Sequence, residues 1–256
     1  QMFKREHIDI PRSTLCSWVL ESLLSLNLLY QTLKENILSQ PVLFTDDTPV
    51  KMLKPGNGKT KAGRMWVYVS GTGPPYKIYD FTQDRKKERP NKFLAGYEGY
   101  IHADAYPGYD ELFAQPDVHE VACWAHTRRK FDEAMPTSPD ACSRIMALIG
   151  LLYRLEREAK DDGIPADQIA VFRQDKSKPV VDMIFTDLKD MESKALPKSP
   201  LGKAIGYALN QEQALRTYLQ DGRLNIDNNT AENAIRPLAL GRKNWLFAGN
   251  ERGGKA

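Results

Sequence analysis

The segment Val42-Leu43-Phe44-Thr45-Asp46-Asp47 decides the fold, because a short apolar run stops there at two adjacent acids. Such a run, bounded by turn-forming residues, predicts a buried strand. The segment Gly99-Tyr100-Ile101-His102-Ala103-Asp104 follows the same pattern further along the chain. We therefore expect two strands that end at acids, with Asp46 closing the first and Asp104 closing the second.

The residues around these segments predict the rest of a sheet. Met65–Ser70 and Tyr76–Phe81 are separated by a Gly/Pro turn and predict an antiparallel hairpin, and Glu120–Cys123 predicts a fifth strand. Short helices are predicted over Asn91–Tyr97 and Asp110–Ala114. Three meandering strands followed by strand–helix crossovers predict an α/β protein with a mixed five-stranded sheet flanked by helices, which is the layout of the ribonuclease-H-like fold.

Helical periodicity dominates both sides of the predicted sheet. One helix is predicted over Ser13–Leu38, where it belongs either to a DNA-binding helical unit or to the packing of the core. From Trp124 to Gln220 apolar residues again recur at helical spacing, and Asn228-Asn229-Thr230 predicts the start of a last helix through Ile235. Breaks in the helical region are expected at residues 163–165, near Pro179, and at residues 197–200.

These elements predict four consecutive parts of the chain. They are an N-terminal helical segment at residues 1–40, the first part of the ribonuclease-H-like core at residues 41–130, a helical insertion at residues 131–222, and a final core helix with a C-terminal basic segment at residues 223–256. Gln1 opens directly into sequence that already looks internal, so we expect a fragment or a processed form.

The composition is that of a folded protein without a membrane segment. Hydrophobic residues make up 41% of the chain and charged residues 27%, which excludes intrinsic disorder. No apolar run approaches the roughly 20 residues that span a bilayer, and the stretch Leu15–Tyr30 lacks the cleavage site of a signal peptide. The three cysteines form no CxxC pair, which argues against a thiolate zinc site. We expect a cytoplasmic protein with no membrane partner.

Positive charge is clustered along the chain, although the net charge is only +3. Each cluster alone is compatible with a solvated surface, but four clusters close to the acid-bearing segments favour a polyanionic partner. The clusters comprise Lys51, Lys54, Lys59, Lys61 and Arg64; Arg85, Lys86, Lys87 and Arg89; Arg128, Arg129 and Lys130; and Arg236, Arg242, Lys243, Arg252 and Lys255.

Three acids, Asp46, Asp104 and Glu232, are the candidate metal ligands. If the first and fourth strands are neighbours, Asp46 and Asp104 converge at a sheet edge where α/β proteins form their sites, and Glu232 near the start of the last helix can reach them. Hard cations such as Mg²⁺ bind carboxylate oxygens, and a pair of such ions supports phosphoryl transfer. Among 33 acidic residues, two at strand ends also arise by chance, so the pattern alone leaves the metal site open.

Four sequence blocks resemble the insertion sequence 66 transposase family. They occur in the order of the family and together cover most of the chain from Pro41 to Gly254. The blocks are Asp46–Val50 with Pro55–Tyr68, Ala103–Tyr109, Cys123–Phe131, and Asn228–Pro237 with Gly241–Gly249.

The resemblance implies a DDE-type catalytic domain of ribonuclease-H-like fold, with a helical insertion before the last acid. It assigns Asp46, Asp104 and Glu232 as catalytic ligands of Mg²⁺, with Mn²⁺ as a substitute and two ions when DNA is bound. It also implies DNA partners, namely element ends and target DNA, and a zinc-binding DNA-recognition region that would precede this chain. With it we expect a bacterial, nucleoid-associated protein, at least a homodimer in the active complex, and possible accessory transposition proteins.

The acid next to Asp46 is the main departure from the family pattern, since Asp47 stands where many relatives have glutamate. Neighbouring residues of a strand point to opposite faces, so only one of the two can be a ligand in a regular strand. The motif favours Asp46 and leaves Asp47 as support for the site. His126 has two interpretations: a residue that caps or hydrogen-bonds at a strand–helix junction, or a group beside the metal site that contacts DNA.

Three groups of basic residues are candidate DNA contacts, because Lys and Arg bind DNA through its phosphates. The groups are Lys59, Lys61 and Arg64, around the Gly/Lys loop predicted from Pro55 to Gly63; Arg128 and Arg129, after the fifth strand; and Arg236, Arg242 and Lys243, after Glu232.

The sequence therefore predicts a DNA transposase. It would hydrolyse phosphodiester bonds at element ends and transfer the resulting 3′-hydroxyl end into target DNA, and both steps are in-line displacements at phosphorus. Two alternatives remain: a ribonuclease-H-like nuclease without strand transfer, and a catalytically decayed relative that keeps DNA binding. The presence of all three acids argues against decay.

Overall fold

The computed structural model describes residues 5–6, 9–54, 56, 58–245 and 247–255, apart from the side chain of Trp245. Parts of three predicted segments lie outside this description. They are residues 1–4 and 7–8 of the N-terminal helical segment, residues 55 and 57 of the Gly/Lys loop, and residues 246 and 256 of the C-terminal segment.

A mixed sheet of five strands forms the centre of the structure. The strands are β1 (Val42–Leu53), β2 (Thr60–Ser70), β3 (Lys77–Thr82), β4 (Gly99–Ala103) and β5 (Val118–Ala122). Their order across the sheet is β3-β2-β1-β4-β5. The pairs β1–β2 and β2–β3 are antiparallel, whereas β1–β4 and β4–β5 are parallel. The predicted mixed five-stranded α/β sheet is confirmed.

Strand β1 does not end at the acids. The prediction that it stops before Asp46 is wrong, because pairing with β2 continues to Leu53 and buries Val50 and Met52 on the way. The predicted Gly/Lys loop is correspondingly shorter, since Thr60–Gly63 belongs to β2. Strand β4 does end as predicted, directly before Asp104.

The N-terminal helix predicted over Ser13–Leu38 is two helices, α1 (Arg12–Ser25) and α2 (Asn27–Leu38), separated at Leu26. No residue of α1 is buried, and large apolar side chains such as Trp18 remain exposed. Helix α2 buries Ile37 against the sheet. Packing of the core therefore accounts for α2 but not for α1.

Further helices follow, in two groups. Between β3 and β5 lie α3 (Glu88–Phe93), a 3₁₀ turn (Pro107–Tyr109) and α4 (Asp110–Phe113). After β5 lie α5 (Trp124–Ala134), α6 (Pro139–Asp161), α7 (Ala166–Phe172), a π-helical segment (Arg173–Ser177), α8 (Lys178–Glu192), α9 (Pro200–Asn210) and α10 (Glu212–Thr217). None of the helices in the described part of the chain is long and apolar enough to cross a membrane.

The helical region has two of its three predicted breaks. The chain leaves α6 and enters α7 around residues 163–165, and it leaves α8 and enters α9 around residues 197–200. It stays helical at Pro179, where a break was predicted, and this proline lies at the start of α8, directly after the π-helical segment.

The last long helix, α11 (Asn229–Trp245), is ten residues longer than predicted, and a short α12 (Glu251–Lys255) follows it. It continues beyond the predicted end at Ile235 and passes through Pro237. Contacts with the sheet hold both sides of this proline. Tyr79 donates from its hydroxyl to the Ala234 carbonyl at 2.8 Å, and Arg242 donates to Thr48 Oγ1 at 2.7 Å.

The two faces of the sheet belong to different hydrophobic clusters. Val42 and Phe44 of β1 pack with α5, α6, α8 and α11, on the side named here the α11 face. Leu43 and Trp66 pack with Ile37 of α2, on the side named the α2 face. Alternate residues of β1 therefore point to different hydrophobic clusters.

One buried arginine connects the helices to the segment that precedes α11. Arg173, in the π-helical segment, pairs with Glu156 and donates to the carbonyl oxygens of Tyr218, Asp221 and Leu224 at 2.7–2.9 Å. A wider helical turn at this point aims the side chain inward, where it is almost completely buried.

We expect Arg173→Met to lower the free energy of unfolding by about 3–5 kcal/mol, because it leaves Glu156 without its partner and three carbonyls without a donor. Urea denaturation measures the change. Arg144→Met is the control: its pair with Asp187 is exposed on the arginine side, and we expect less than about 1 kcal/mol. Equal effects of the two substitutions would contradict this account.

Candidate active site

The parallel pairing of β1 and β4 places two of the predicted acids next to each other, at the same level of the two strands. Phe44 lies opposite His102 in the register. Two residues further along each strand, on the same α11 face, come Asp46 and Asp104. They lie at the point where β4 ends and β1 continues alone beside β2.

Helix α11 brings the third acid to the same place. Asn228, which is buried, donates from its side-chain amide to the Thr45 carbonyl at 2.9 Å, and its backbone N–H donates to Cys123 Sγ at 3.3 Å. These contacts tie the start of α11 to β1 and to the end of β5. Glu232 therefore lies in the first turn of a helix that begins directly beside Asp46.

The segment before α11 was predicted to start the helix through Asn228, Asn229 and Thr230. The side-chain oxygen that receives the first helical N–H is instead that of Asp227, whose Oδ1 accepts from Asn229 N at 3.1 Å. Asn228 uses its amide for the contact with β1.

The acids lie in partly buried surroundings, where the nearby positive charge does not balance their negative charge. Burial, followed by the negative charges of Asp104, Asp47 and Glu232, raises the pKa of Asp46 to about 7. Burial also raises the pKa of Asp104, although the charges of His126 and Arg85 oppose it. Glu232 Oε1 is buried and has no hydrogen-bond partner within the described residues. Carboxylate oxygens are the ligands that divalent cations prefer, but Asp46, Asp104 and Glu232 are not among the described groups whose ligand atoms all lie within 4.8 Å of one another.

Asp47 lies in a different environment on the α2 face. Its carboxylate pairs with Arg64 at 2.9 Å and with Arg85 at 2.8 Å, and only 4% of its side chain is exposed. The Arg85 guanidinium also stacks on the Tyr106 ring at 4.1 Å. The predicted separation of Asp46 and Asp47 onto opposite faces is confirmed, and Asp47 already has its counter-ions.

His126 and Cys123 lie next to Glu232. His126 Nε2 is 3.6 Å from Glu232 Oε1, and Nδ1 of the same ring is buried without a hydrogen-bond partner among the described residues. The possible ligand atoms of Cys123, His126 and Glu232 lie within 4.8 Å of one another. Burial raises the pKa of Cys123 to about 11, so without a bound metal its thiol stays protonated near neutral pH.

Comparison with known proteins adds the family to this geometry. The sequence model of the transposase IS66 family matches residues 1–256, the whole chain. The chain belongs to the IS66 transposase family. This confirms the resemblance seen in the sequence blocks.

Three proteins of Sinorhizobium fredii (strain NBRC 101917 / NGR234) are similar to this IS66-family chain. The uncharacterized protein y4qI is 34% identical over 99% of the chain and 49% of its own length. The uncharacterized proteins y4hP and y4jD are each 32% identical, over 98% and 100% of the chain and 49% and 52% of their own lengths. The chain therefore spans about half the length of these relatives.

The basic residues of the IS66-family chain divide by their distance from the acids. Arg129 Nη2 is 3.9 Å from Glu232 Oε2. Arg236 and Lys243 are exposed and lie four and eleven residues after Glu232, so they share its face of α11. Arg128 is exposed one residue before Arg129 on α5.

Other predicted DNA contacts are placed elsewhere. Arg64 pairs with Asp47, and Arg242 donates to Thr48 and to the Pro49 carbonyl, so both guanidinium groups already have protein partners. Lys61 pairs with Met52 in the register, six residues beyond Asp46, which puts it about 20 Å away along the strand. Lys59 lies further out, at the tip of the same hairpin.

Two residues at the site were not singled out from the sequence. Arg85 appeared only within a basic cluster, because its pairing with Asp47 depends on the path of the chain after β3. Asn228 was noted as part of a helix start. Its burial and its contact with β1 depend on a separation of 183 residues, which no local pattern encodes.

We expect Asp46→Asn to stabilise the protein in EDTA, since it removes one charge from a crowded group of acids. The wild-type carboxyl has a raised pKa in the folded state, so its ionisation costs stability as the pH rises toward and through 7. The gain should therefore be larger at about pH 8 than at about pH 5, reaching about 1–3 kcal/mol. Chemical denaturation at both pH values measures it.

Asp47→Asn is the matched control for this substitution. It removes the same charge one residue away but leaves Arg64 and Arg85 without their partner, so we expect it to lower stability. Destabilisation by Asp46→Asn, or stabilisation by both substitutions, would contradict the charge distribution described above.

Proposed function

We propose that this chain is the catalytic core of a DNA transposase in which Asp46, Asp104 and Glu232 hold divalent metal ions. The observation that carries the proposal is that these acids approach one region from β1, from the end of β4 and from α11, where the charges of Asp104 and Glu232 help to raise the pKa of Asp46. Membership of the IS66 transposase family supports the same conclusion.

The proposed core is ribonuclease-H-like. In its support, three antiparallel strands are followed by two parallel ones in the order β3-β2-β1-β4-β5, with helices on both faces. In this proposal, residues 41–130 and 223–256 form the core, residues 131–222 are a helical insertion before the last acid, and residues 1–40 precede the core. The order of elements along the chain agrees with this division.

The donor set fits Mg²⁺, with Mn²⁺ as a substitute. Asp46 and Asp104 offer oxygen ligands in a partly buried place, and Glu232 Oε1 is buried with no hydrogen-bond partner in the described chain. When bound, a pair of such ions would activate a water or a 3′-hydroxyl and stabilise the leaving oxygen in phosphoryl transfer. The acids act as ligands, and no covalent bond between enzyme and DNA is needed.

Other residues of the chain would position the DNA strand and the third ligand. Asn228 holds the start of α11 against β1 and so sets the reach of Glu232. His126 and Arg129 flank Glu232 and can donate to a phosphate oxygen beside it. Arg236 and Lys243 extend the positive charge along the exposed face of α11, where they can bind the backbone of an element end or of target DNA.

Joining two element ends to a target requires at least two active sites, so we propose a homodimer or higher assembly in the active complex. In each copy the same three acids would serve both cleavage and strand transfer, because both reactions are in-line displacements at phosphorus. We also propose accessory transposition proteins as possible partners of this active complex.

A metal-dependent shift in melting temperature tests the ligand set without requiring catalysis. We expect Mg²⁺ or Mn²⁺ to raise the melting temperature of the wild type, since a ligand that binds only the folded state stabilises it. Asp46→Asn should abolish this shift, whereas Asp47→Asn should retain it despite lower stability. A shift that survives Asp46→Asn and disappears with Asp47→Asn would place the metal on the other acid.

A strand-transfer assay with labelled element ends and plasmid target tests the activity itself. We expect Glu232→Gln to reduce both cleavage and transfer by more than about 100-fold, because even groups that only support metal ligands contribute 10–100-fold. Cleavage without any transfer by the wild type would favour a simple nuclease. DNA binding without cleavage would favour a decayed relative, and full activity of Glu232→Gln would contradict the proposed ligand.

A further inference from the structure

A groove between α5 and α6 leads away from Glu232. It has a volume of about 580 Å³ and opens to solvent. Arg128 and Arg129 line it from α5, and Tyr153 and Arg157 line it from α6. The start of α11 closes one end, so the groove begins beside the proposed active site and runs onto the helices.

We propose that this groove, named here the α5–α6 groove, binds the sugar–phosphate backbone of DNA as it leaves the active site. The inference rests on the proposed function and deepens it. It adds Tyr153 and Arg157, on a helix of the proposed insertion, to a DNA surface that the sequence placed only on residues near the acids.

The charges in the groove fit a polyanion. Arg128 and Arg157 are exposed, and neither forms an ion pair with any of the described residues. Arg129 is held only loosely, at 3.9 Å from Glu232. Guanidinium groups that are not engaged by protein carboxylates are free to bind phosphate oxygens in pairs.

One of the two acids in the groove is already engaged. The Asp227 carboxylate accepts a hydrogen bond from the Tyr153 hydroxyl at 3.1 Å and another from the Asn229 side-chain amide at 2.7 Å. These bonds hold the carboxylate against the wall of the groove. Asp132 is exposed and forms no ion pair within the described chain. It is therefore the residue whose charge most directly opposes a bound phosphate.

The floor of the groove is open at Gly150. A Cβ atom built on this helical glycine has no heavy atom within 4 Å, so a larger side chain would enter the groove and displace nothing. Gly150 lies on α6 about one turn before Tyr153 and two turns before Arg157, on the same side of the helix. A substitution here can fill the groove while also favouring the helix, because Gly is a poor helix former.

The test measures binding of a fluorescein-labelled DNA duplex by anisotropy, in EDTA and over a range of salt concentrations. We expect Arg157→Ala to weaken binding roughly three- to tenfold at low salt and to reduce the salt slope by about 0.9, the value for one phosphate contact. Arg154→Ala is the matched control, since Arg154 is exposed on the same helix but does not line the groove.

Three further substitutions test the groove independently of Arg157. Gly150→Glu should weaken binding more than Gly150→Ala, because it places a carboxylate in the groove, and Asp132→Asn should tighten binding. The metal-dependent melting shift should stay unchanged in all of these variants, which separates an effect on the groove from damage to the acids.

The possible outcomes distinguish this inference from the function it rests on. Equal binding by Arg157→Ala and Arg154→Ala, with the wild type binding duplex, would overturn the groove and leave the proposed function intact. Failure of the wild type to bind DNA under all salt conditions would overturn both. Weaker binding by Arg157→Ala and Gly150→Glu together, with tighter binding by Asp132→Asn, would support the groove.

Discussion

The parallel pairing of β1 with β4 is the constraint from which the candidate site follows. Phe44 and His102 lie opposite each other, and their rings stack at 4.2 Å on the α11 face. Burial lowers the pKa of His102 to about 3, so the ring is neutral and can remain in an apolar core. A shift of β1 by one residue would move Asp46 to the α2 face and separate it from Asp104.

The arrangement of the acids opposes stability, and the surrounding structure compensates for it. Asp46 and Asp104 are partly buried like charges, while Asp47, one residue away, is paired with two arginines. The helices on the α11 face form the larger hydrophobic cluster and hold α11 in position. A cation-binding site requires carboxylates that lack counter-ions and are held on a rigid support, as Asp46 is. A carboxylate with two arginine partners, such as Asp47, fits a structural position instead.

The sequence predicted the parts of the fold that depend on local patterns. Alternating strands, the hairpin, the acid after β4 and the existence of a helical region all follow from periodicity and turn residues. Strand parity also separated Asp46 from Asp47 correctly. What failed was the position of ends: β1 runs past its acids because β2 pairs with it as far as Leu53, and α11 runs past Pro237 because the sheet holds it on both sides.

The rest of the site depends on contacts between distant parts of the chain. The bond from Asn228 to Thr45 and the pair of Arg85 with Asp47 join segments whose proximity only the folded chain creates. The same limit explains the basic residues. Lys59, Lys61, Arg64 and Arg242 are close to the acids in sequence blocks, yet the structure places the first two far along a hairpin and engages the last two with protein groups.

Anomalous diffraction from crystals grown with Mn²⁺ and DNA tests the central claim most directly. The account predicts manganese bound by the carboxylates of Asp46, Asp104 and Glu232, with metal–oxygen distances of about 2.0–2.6 Å. Manganese bound by Asp47 instead, or well-ordered acids with DNA beside them and no anomalous signal between them, would contradict it.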